Sequence, residues 1–374
     1  MYKKAQSKER GLFMRMKSKA VLYFVLLHLL FAGLATGDVR REINIPDILD
    51  YKTLKCDLHT HTVFSDGLVW PTVRVDEAWR EGLDAISISD HIEYQPHKKD
   101  VPTNHNRPYE IALSPAKQKN ILLVRGAELT RDTPPGHFNA TFLSDITPLD
   151  TNELFDAVKA ADKQGGFIFW NHPGWKPEAK GWYDFHTQLY SSKLLHGIEV
   201  ANGDTYYPEA HQWCLEKNLT MMGNSDVHQP VGNCEPSPEN HRTMTLVFAK
   251  ERSLDALKAA LVEGRTVVWY KNQLIGRTEY LDALFKAAVR IAKPHHKQNN
   301  TVWFEVKNCS DIDIELEKPG GNPADKLLLP ANSTIVMKTN IDSKTNRAKL
   351  SYTASNFLIA PDKGLPVNIM VSIQ

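Results

Sequence analysis

Residues 56–67 read Cys56-Asp57-Leu58-His59-Thr60-His61-Thr62-Val63-Phe64-Ser65-Asp66-Gly67. Cys56 to Thr62 has the character of a strand, and Ser65-Asp66-Gly67 is a turn signal that ends it. On an extended chain, side chains two apart share a face, so Asp57, His59 and His61 point to the same side. Pro71 then opens a helix that runs through Ala78 and Trp79 to Gly82, and Ala85 to Ser89 is again strand-like. The alternation persists downstream. Apolar runs at Ile121 to Leu129, His137 to Leu143, Phe167 to Trp170, Gly197 to Ala201, Thr220 to Asn224, Thr243 to Ala249 and Arg265 to Tyr270 interleave with helical patterns at Asn152 to Lys163, Pro208 to Lys217 and Ser253 to Glu263. Strands alternating with helices predict an α/β protein with a parallel sheet, and about seven such units in roughly 215 residues predict a closed barrel.

With 374 residues the chain exceeds the size of one hydrophobic core, so a large domain plus a smaller one is expected. The barrel is expected over 54–293, closed by a last helix from Thr278 to Lys293, with 38–53 as a lead-in. Pro294 and the polar stretch His295 to Asn300 predict a linker over 294–300. Residues 301–374 hold only strand-like pieces between Gly, Pro, Asn and Asp turns, which predicts a small antiparallel β-domain. At the other end, Lys17 and Lys19 precede an uncharged run from Ala20 to Gly37. Its apolar part, Val21 to Leu34, is short for a bilayer span of about 20 residues, and Ala35 and Gly37 suit cleavage before Asp38. Residues 1–37 therefore read as a signal peptide, with Met14 and Met16 as alternative starts, and the mature chain is expected in the periplasm or outside the cell without a membrane span.

Lys plus Arg number 45 and Asp plus Glu 44, a net charge of +1 that lacks the basic excess of a protein binding a phosphate backbone. Stable nucleic-acid binding is excluded on that ground. Cys56, Cys214, Cys234 and Cys309 show no CxxC spacing, which excludes finger-type zinc, and they are expected to be unpaired. The pair His295 and His296 reads as solvated.

Residues of metal-ligand type collect where the strand-like runs end. Beyond His59, His61 and Asp66, His91 follows the second run, Glu128 ends the third, and His137 begins the fourth. His172 closes Phe167 to Trp170 inside Asn171-His172-Pro173-Gly174, and Asp226 and His228, again two apart, follow Thr220 to Asn224. In a parallel barrel every C-terminal strand end opens onto one face, so residues spread over about 170 positions converge. Six histidines and three carboxylates are too many for one tetrahedral ion and suit two or three divalent ions bridged by a carboxylate. Histidine-rich ligation favours Zn, Mn or Fe over Mg. His97, His105, His186, His196, His211 and His241 stand in no motif and read as ordinary residues.

The ordered set Asp57-Leu58-His59-Thr60-His61, Ser65-Asp66-Gly67, Ser89-Asp90-His91, Glu128, Asn171-His172-Pro173-Gly174 and Asp226-Val227-His228 resembles the PHP (polymerase and histidinol phosphatase) family over about residues 54–270. The resemblance implies a distorted seven-stranded β/α barrel with a trinuclear metal centre that hydrolyses phosphoesters. It implies that His59, His61 and Asp226 hold a first metal, that Glu128 bridges it to a second completed by His137 and His172, and that Asp66, His91 and His228 hold a third. Family members often carry His where Asp66 stands, and their cytosolic location differs from the export expected here.

Three divalent ions bring six positive charges against three carboxylates, so such a site wants an anion. A small phosphorylated substrate, monoester or diester, satisfies it, attacked by a hydroxide between the first two metals with Glu128 and Asp226 as catalytic ligands. Arg242, beside Thr243 to Ala249, reads as a further cationic phosphate contact or as a surface salt bridge, and Trp175 and Trp182 as an apolar wall for the leaving group or as loop packing. Two other readings compete. One is an amidohydrolase-type barrel, whose bridging carbamylated lysine has no counterpart where Glu128 stands. The other is a non-catalytic, metal-stabilised barrel that presents the β-domain to a partner.

Overall fold

The computed structural model describes residues 39–102, 104–232, 240–321 and 326–373. The expected signal peptide and Cys234 lie outside the described residues. Seven strands circle the barrel in the order β1 (Lys52–Asp57), β2 (Ala85–Ile88), β3 (Leu122–Leu129), β4 (Phe138–Thr141), β5 (Phe167–Trp170), β6 (Gly197–Asn202) and β8 (Thr220–Asn224), with the short β7 (Thr205–Tyr206) folded back on β6. Every residue of β2, β4, β5 and β8 is buried. That is why these strands read as continuous apolar runs: helices cover one face and the barrel interior the other. The helix Leu154–Asp162, for example, buries Leu154, Ala157, Val158 and Ala161, a 3–4 spacing that makes one apolar stripe.

The sheet departs from the expected all-parallel form at β4, which runs antiparallel to both β3 and β5. The eight residues between β3 and β4 hold no helix, and a parallel crossover needs about a dozen or more. The chain must therefore turn straight back. As a result the beginning of β4 lies at the rim where its parallel neighbours end, and His137, just ahead of Phe138, arrives there.

Closure is partial, which is the distortion. The edge of β1 from Lys52 to Cys56 is taken by the antiparallel β9 (Met244–Ala249). Backbone pairing between the two sides comes beyond β8 and β1, through the bridge Thr60–Val227 and the bonds His61 N to Val227 O (3.1 Å) and Asp226 N to His59 O (2.9 Å). Lower down, β8 presses on β10 (Thr266–Tyr270), and a Cβ on Gly223 would lie 2.2 Å from Val268 Cγ1.

From β9 the sheet continues through β10 and β11 (Gln273–Gly276) into the C-terminal domain, where β11 pairs in parallel with β18 (Arg347–Ala360). β15 (Ile314–Glu317), β16 (Leu327–Leu329) and β19 (Lys363–Ser372) extend it, while β12 (Val289–Ile291), β13 (His296–Gln298), β14 (Thr301–Asn308) and β17 (Thr334–Asn340) form a second sheet. Two expected boundaries move. The last helix stops at Ala288, because Val289 and Ile291 are β-branched, alternate with Arg290 and pair with β14. The expected linker 294–300 contains a strand: β13 pairs with β14 around a two-residue turn in which Asn299 takes φ 55°. Cys56, Cys214 and Cys309 are free. Among the described residues no helix is long and apolar enough to cross a membrane.

Candidate metal centre

The nine expected ligands meet at one rim of the barrel, and their donor atoms fall into four overlapping groups of at least three within 4.8 Å. His59 and His61 leave β1 as the chain runs out towards the β8 exit. A tight turn then folds Asp66 back over His61; a Cβ on Gly67 would lie 2.6 Å from the His61 carbonyl carbon, so only glycine fits. Two of the expected ligands sit in the left-handed region, Asp226 at φ 52° and His172 at φ 28°, strain of the kind that persists where a site over-determines the backbone.

The innermost group has the clearest geometry. His59 Nε2 and His61 Nε2 are 3.1 Å apart. Glu128 Oε2 lies 3.4 Å from each, and Asp226 Oδ1 lies 3.2 Å from the first and 3.0 Å from the second. Ligands about 2.0–2.1 Å from a tetrahedral ion stand about 3.3–3.4 Å from one another. These five distances lie within a few tenths of an ångström of the spacing between two ligands of one cation. Glu128 Oε2, Asp226 Oδ1 and Asp66 Oδ1 are buried with no hydrogen-bond partner, an arrangement that costs free energy unless a cation takes up the lone pairs. The residues present fit divalent metal.

The other oxygen, Glu128 Oε1, faces His137 Nδ1 at 2.9 Å and His172 Nε2 at 3.4 Å, so the carboxylate lies between two donor sets. Asp66 Oδ1 anchors the outer set, 3.4 Å from His91 Nε2 and 3.2 Å from His228 Nε2. His91 is not confined to that set: its Nδ1 is 2.8 Å from Glu128 Oε2.

Hydrogen bonds to the far ring nitrogens fix which nitrogen His59 and His228 offer. His59 Nδ1 donates to Glu199 Oε1 at 2.9 Å and His228 Nδ1 to the Asp226 carbonyl at 2.7 Å, leaving both Nε2 atoms for the centre. His61 Nδ1 meets Ser65 Oγ at 3.2 Å, and Ser65 donates to Asp90, which also accepts from the Thr62 amide and hydroxyl. Asn171 donates to Glu128 Oε1 at 2.9 Å. Sequence reading missed this supporting layer. Its one visible signal was Glu199 itself, a glutamate inside the apolar run Gly197 to Ala201.

Burial opposes ionisation of Glu128, Asp226 and Asp66, yet all three are held below the usual carboxylate range. The neighbouring His91 and His59 do this for Glu128, His59 and His61 for Asp226, and His228 and His91 for Asp66. Burial likewise opposes charge on His91, but Glu128 and Asp66 raise it to about 10. His61 moves the other way, lowered by burial and by His91. Without metal, protons on the histidines thus neutralise the carboxylates, the task a divalent cation would take over.

The centre opens into a pocket of about 750 Å³ lined by Tyr94, Arg131, Asp132, Asp150, Trp175 and Lys176, among others. Trp175 stands at its wall, 56% exposed, as expected. Trp182 does not: it packs against Trp170 and Trp213 away from the opening. Arg242 is a second correction. Its side chain is buried and bound to Asp57 (2.9 Å) and Glu81, and Asp57 in turn accepts from Ser225 N and Oγ. Asp57 and Glu81 thus engage Arg242 beneath the β8 exit, and it is not among the pocket-lining residues, which include Arg131 and Lys176.

A barrel that gathers imidazole and carboxylate donors around shared oxygens at its mouth is a metal-binding barrel by its chemistry. Comparison with known proteins gives the family. A crystal structure of a two-domain protein of Bacteroides vulgatus, containing a predicted PHP-like metal-dependent phosphoesterase, is similar at 45% identity and TM-score 0.83, over 89% of this chain and 99% of that one. The chain belongs to this PHP-like family. A family model described as an Ig-like domain matches residues 289–370, the C-terminal β-domain. A putative metal-dependent phosphoesterase of Bifidobacterium adolescentis (16% identity, 56% of this chain and 96% of that one, TM-score 0.39) and an amidohydrolase of Chromobacterium violaceum (17%, 50% and 93%, 0.37) are likenesses too weak to argue from. No curated protein matches the chain.

Proposed function

We propose that this protein is an exported hydrolase of phosphoric esters that works with two to three divalent ions, Zn, Mn or Fe, held by His59, His61, Asp66, His91, Glu128, His137, His172, Asp226 and His228. The observation that carries the reading is the set of inter-donor distances of 3.0–3.4 Å around the orphaned oxygens of Glu128 and Asp226. The metals, when bound, supply Lewis acidity that lowers the pKa of water to about 7 and positive charge for phosphoryl oxygens. Glu128 holds two donor sets in register by offering one oxygen to each. Lys176, which lines the pocket and rests 5.2 Å over the Trp175 ring, takes the role of anion contact first expected of Arg242. Trp175 walls the leaving group. Export rests on the uncharged run after Lys19.

The test is turnover of p-nitrophenyl phosphate and bis(p-nitrophenyl) phosphate by protein loaded with Mn²⁺ or Zn²⁺. Chelator-sensitive hydrolysis of at least one is expected. Full metal content with no hydrolysis across a monoester and diester panel would overturn the reading in favour of a metal-stabilised, non-catalytic barrel.

A further inference from the structure

Glu199 is wholly buried in β6, and its hydrogen bonds among the described residues come from one imidazole, one backbone amide and two asparagines, with no lysine or arginine. Burying a carboxylate without a cationic partner costs free energy that an apolar residue of similar size would not. Each of its oxygens is taken by two donors. Oε1 accepts from His59 Nδ1 and from Asn224 Nδ2, both at 2.9 Å. Oε2 accepts from the His172 amide and from Asn202 Nδ2, both at 2.8 Å. With all four donors in place no lone pair is left for a metal, so Glu199 is not itself a ligand.

Its partners belong to different parts of the centre. His59 Nε2 faces Glu128 Oε2, whereas His172 faces Glu128 Oε1. Asn202 Nδ2 lies 3.4 Å from Asp226 Oδ2, and Asn224 Oδ1 accepts from the Leu58 amide at the exit of β1. One side chain therefore ties the exits of β1, β5 and β8. Among the described residues, the hydrogen bonds of Glu199 do not reach the outer set, Asp66, His91 and His228.

We propose that Glu199 is a positioning residue that couples the two donor sets sharing Glu128, so that their metals bind and leave as a pair while the outer site fills independently. This rests on the metal-binding part of the function proposed above. Through the His59 ring, the Glu199 charge raises the basicity of Nε2 and opposes the cation beyond it.

The experiment is a Zn²⁺ titration of metal-stripped wild-type protein, Glu199→Gln and Glu199→Asp, followed by calorimetry and by elemental analysis after desalting, with the melting temperature of each stripped protein as control. For Glu199→Gln we expect affinity for two equivalents to fall together by about 10–100-fold. The third equivalent should be unchanged and the stripped protein should melt within a few degrees of wild type. Glu199→Asp keeps the charge but retracts it, and should fall between. If Glu199→Gln does not fold, the Asp variant carries the test, and an unchanged titration overturns the proposal. So does loss of a single equivalent, or a drop in melting temperature equal with and without metal, which marks a purely structural role. Failure of wild type to bind zinc would instead sink the functional reading.

Discussion

The inner and outer parts of the metal centre are built from the same residue types and differ in how they are held. His59, His61 and Glu128 are fully buried, whereas Asp66 is 24% and His228 31% exposed at the side chain. The inner donors hang from strand exits and are braced by Glu199, Asn171 and Asn224. The outer donors hang from the turn at Gly67 and the loop after β8, where Arg74 donates to the His61, His228 and Gln229 carbonyls. Arg74 fixes backbone, while Glu199 fixes a ligand ring. A site braced at its ligand atoms loses its geometry when one is changed; a site braced at its backbone tolerates exchange with solvent.

The largest expected effect therefore falls on the inner pair. Glu128→Gln keeps shape but removes the charge shared by two donor sets, so kcat/KM should drop by roughly 100-fold or more, with at least one ion lost. Near wild-type turnover at full metal content would break the distinction. Chelation tests it by stability. Each site filled at 100 times its Kd contributes about 2.7 kcal/mol to the folded state, so removing all metal should lower the melting temperature by several degrees. A graded chelator titration should empty the exposed outer site first, seen as a small early step in ion content before activity collapses.

Acid tests the wall beside the inner pair. His186 stacks on Trp170 at 3.7 Å and donates from Nε2 to the Pro135 carbonyl, two residues before His137. Burial holds its pKa down at about 4, against 6.5 unfolded. Because the folded state resists the proton that the unfolded state accepts, this stability is present above about pH 6.5 and is lost as pH falls from there to about 4, by up to roughly 3 kcal/mol. Denaturation of metal-stripped protein at pH 7 and pH 4.5 should show a smaller difference for His186→Gln than for wild type. The smallest effects belong to the exposed edge. His228→Ala should cost roughly tenfold in kcat/KM, partly restored by excess Mn²⁺, and Lys176→Met should raise KM a few-fold with ion content intact.

The comparison also marks how far the sequence could be read. Period-two spacing gave His59 with His61 and Asp226 with His228, since strand geometry alone puts such pairs on one side, and the outer set was legible because Ser65-Asp66-Gly67 is a turn by composition. What stayed hidden depends on strand sense and depth. His137 was assigned to the rim under an all-parallel sheet, yet it gets there because β4 runs backwards. Arg242 precedes a strand just as a phosphate contact could, but nothing local reveals that Asp57 and Glu81 close around it. Glu199 looked like one polar residue in an apolar run, because its four partners come from places 3 to 140 residues away.

The most direct test of the account is anomalous diffraction from crystals of the zinc-loaded protein. The expected result is a peak among His59 Nε2, His61 Nε2, Glu128 Oε2 and Asp226 Oδ1, about 2.0–2.2 Å from both imidazoles and from at least one of the carboxylates, with a second beside Glu128 Oε1. Fully loaded crystals with no peak between those four atoms would contradict it.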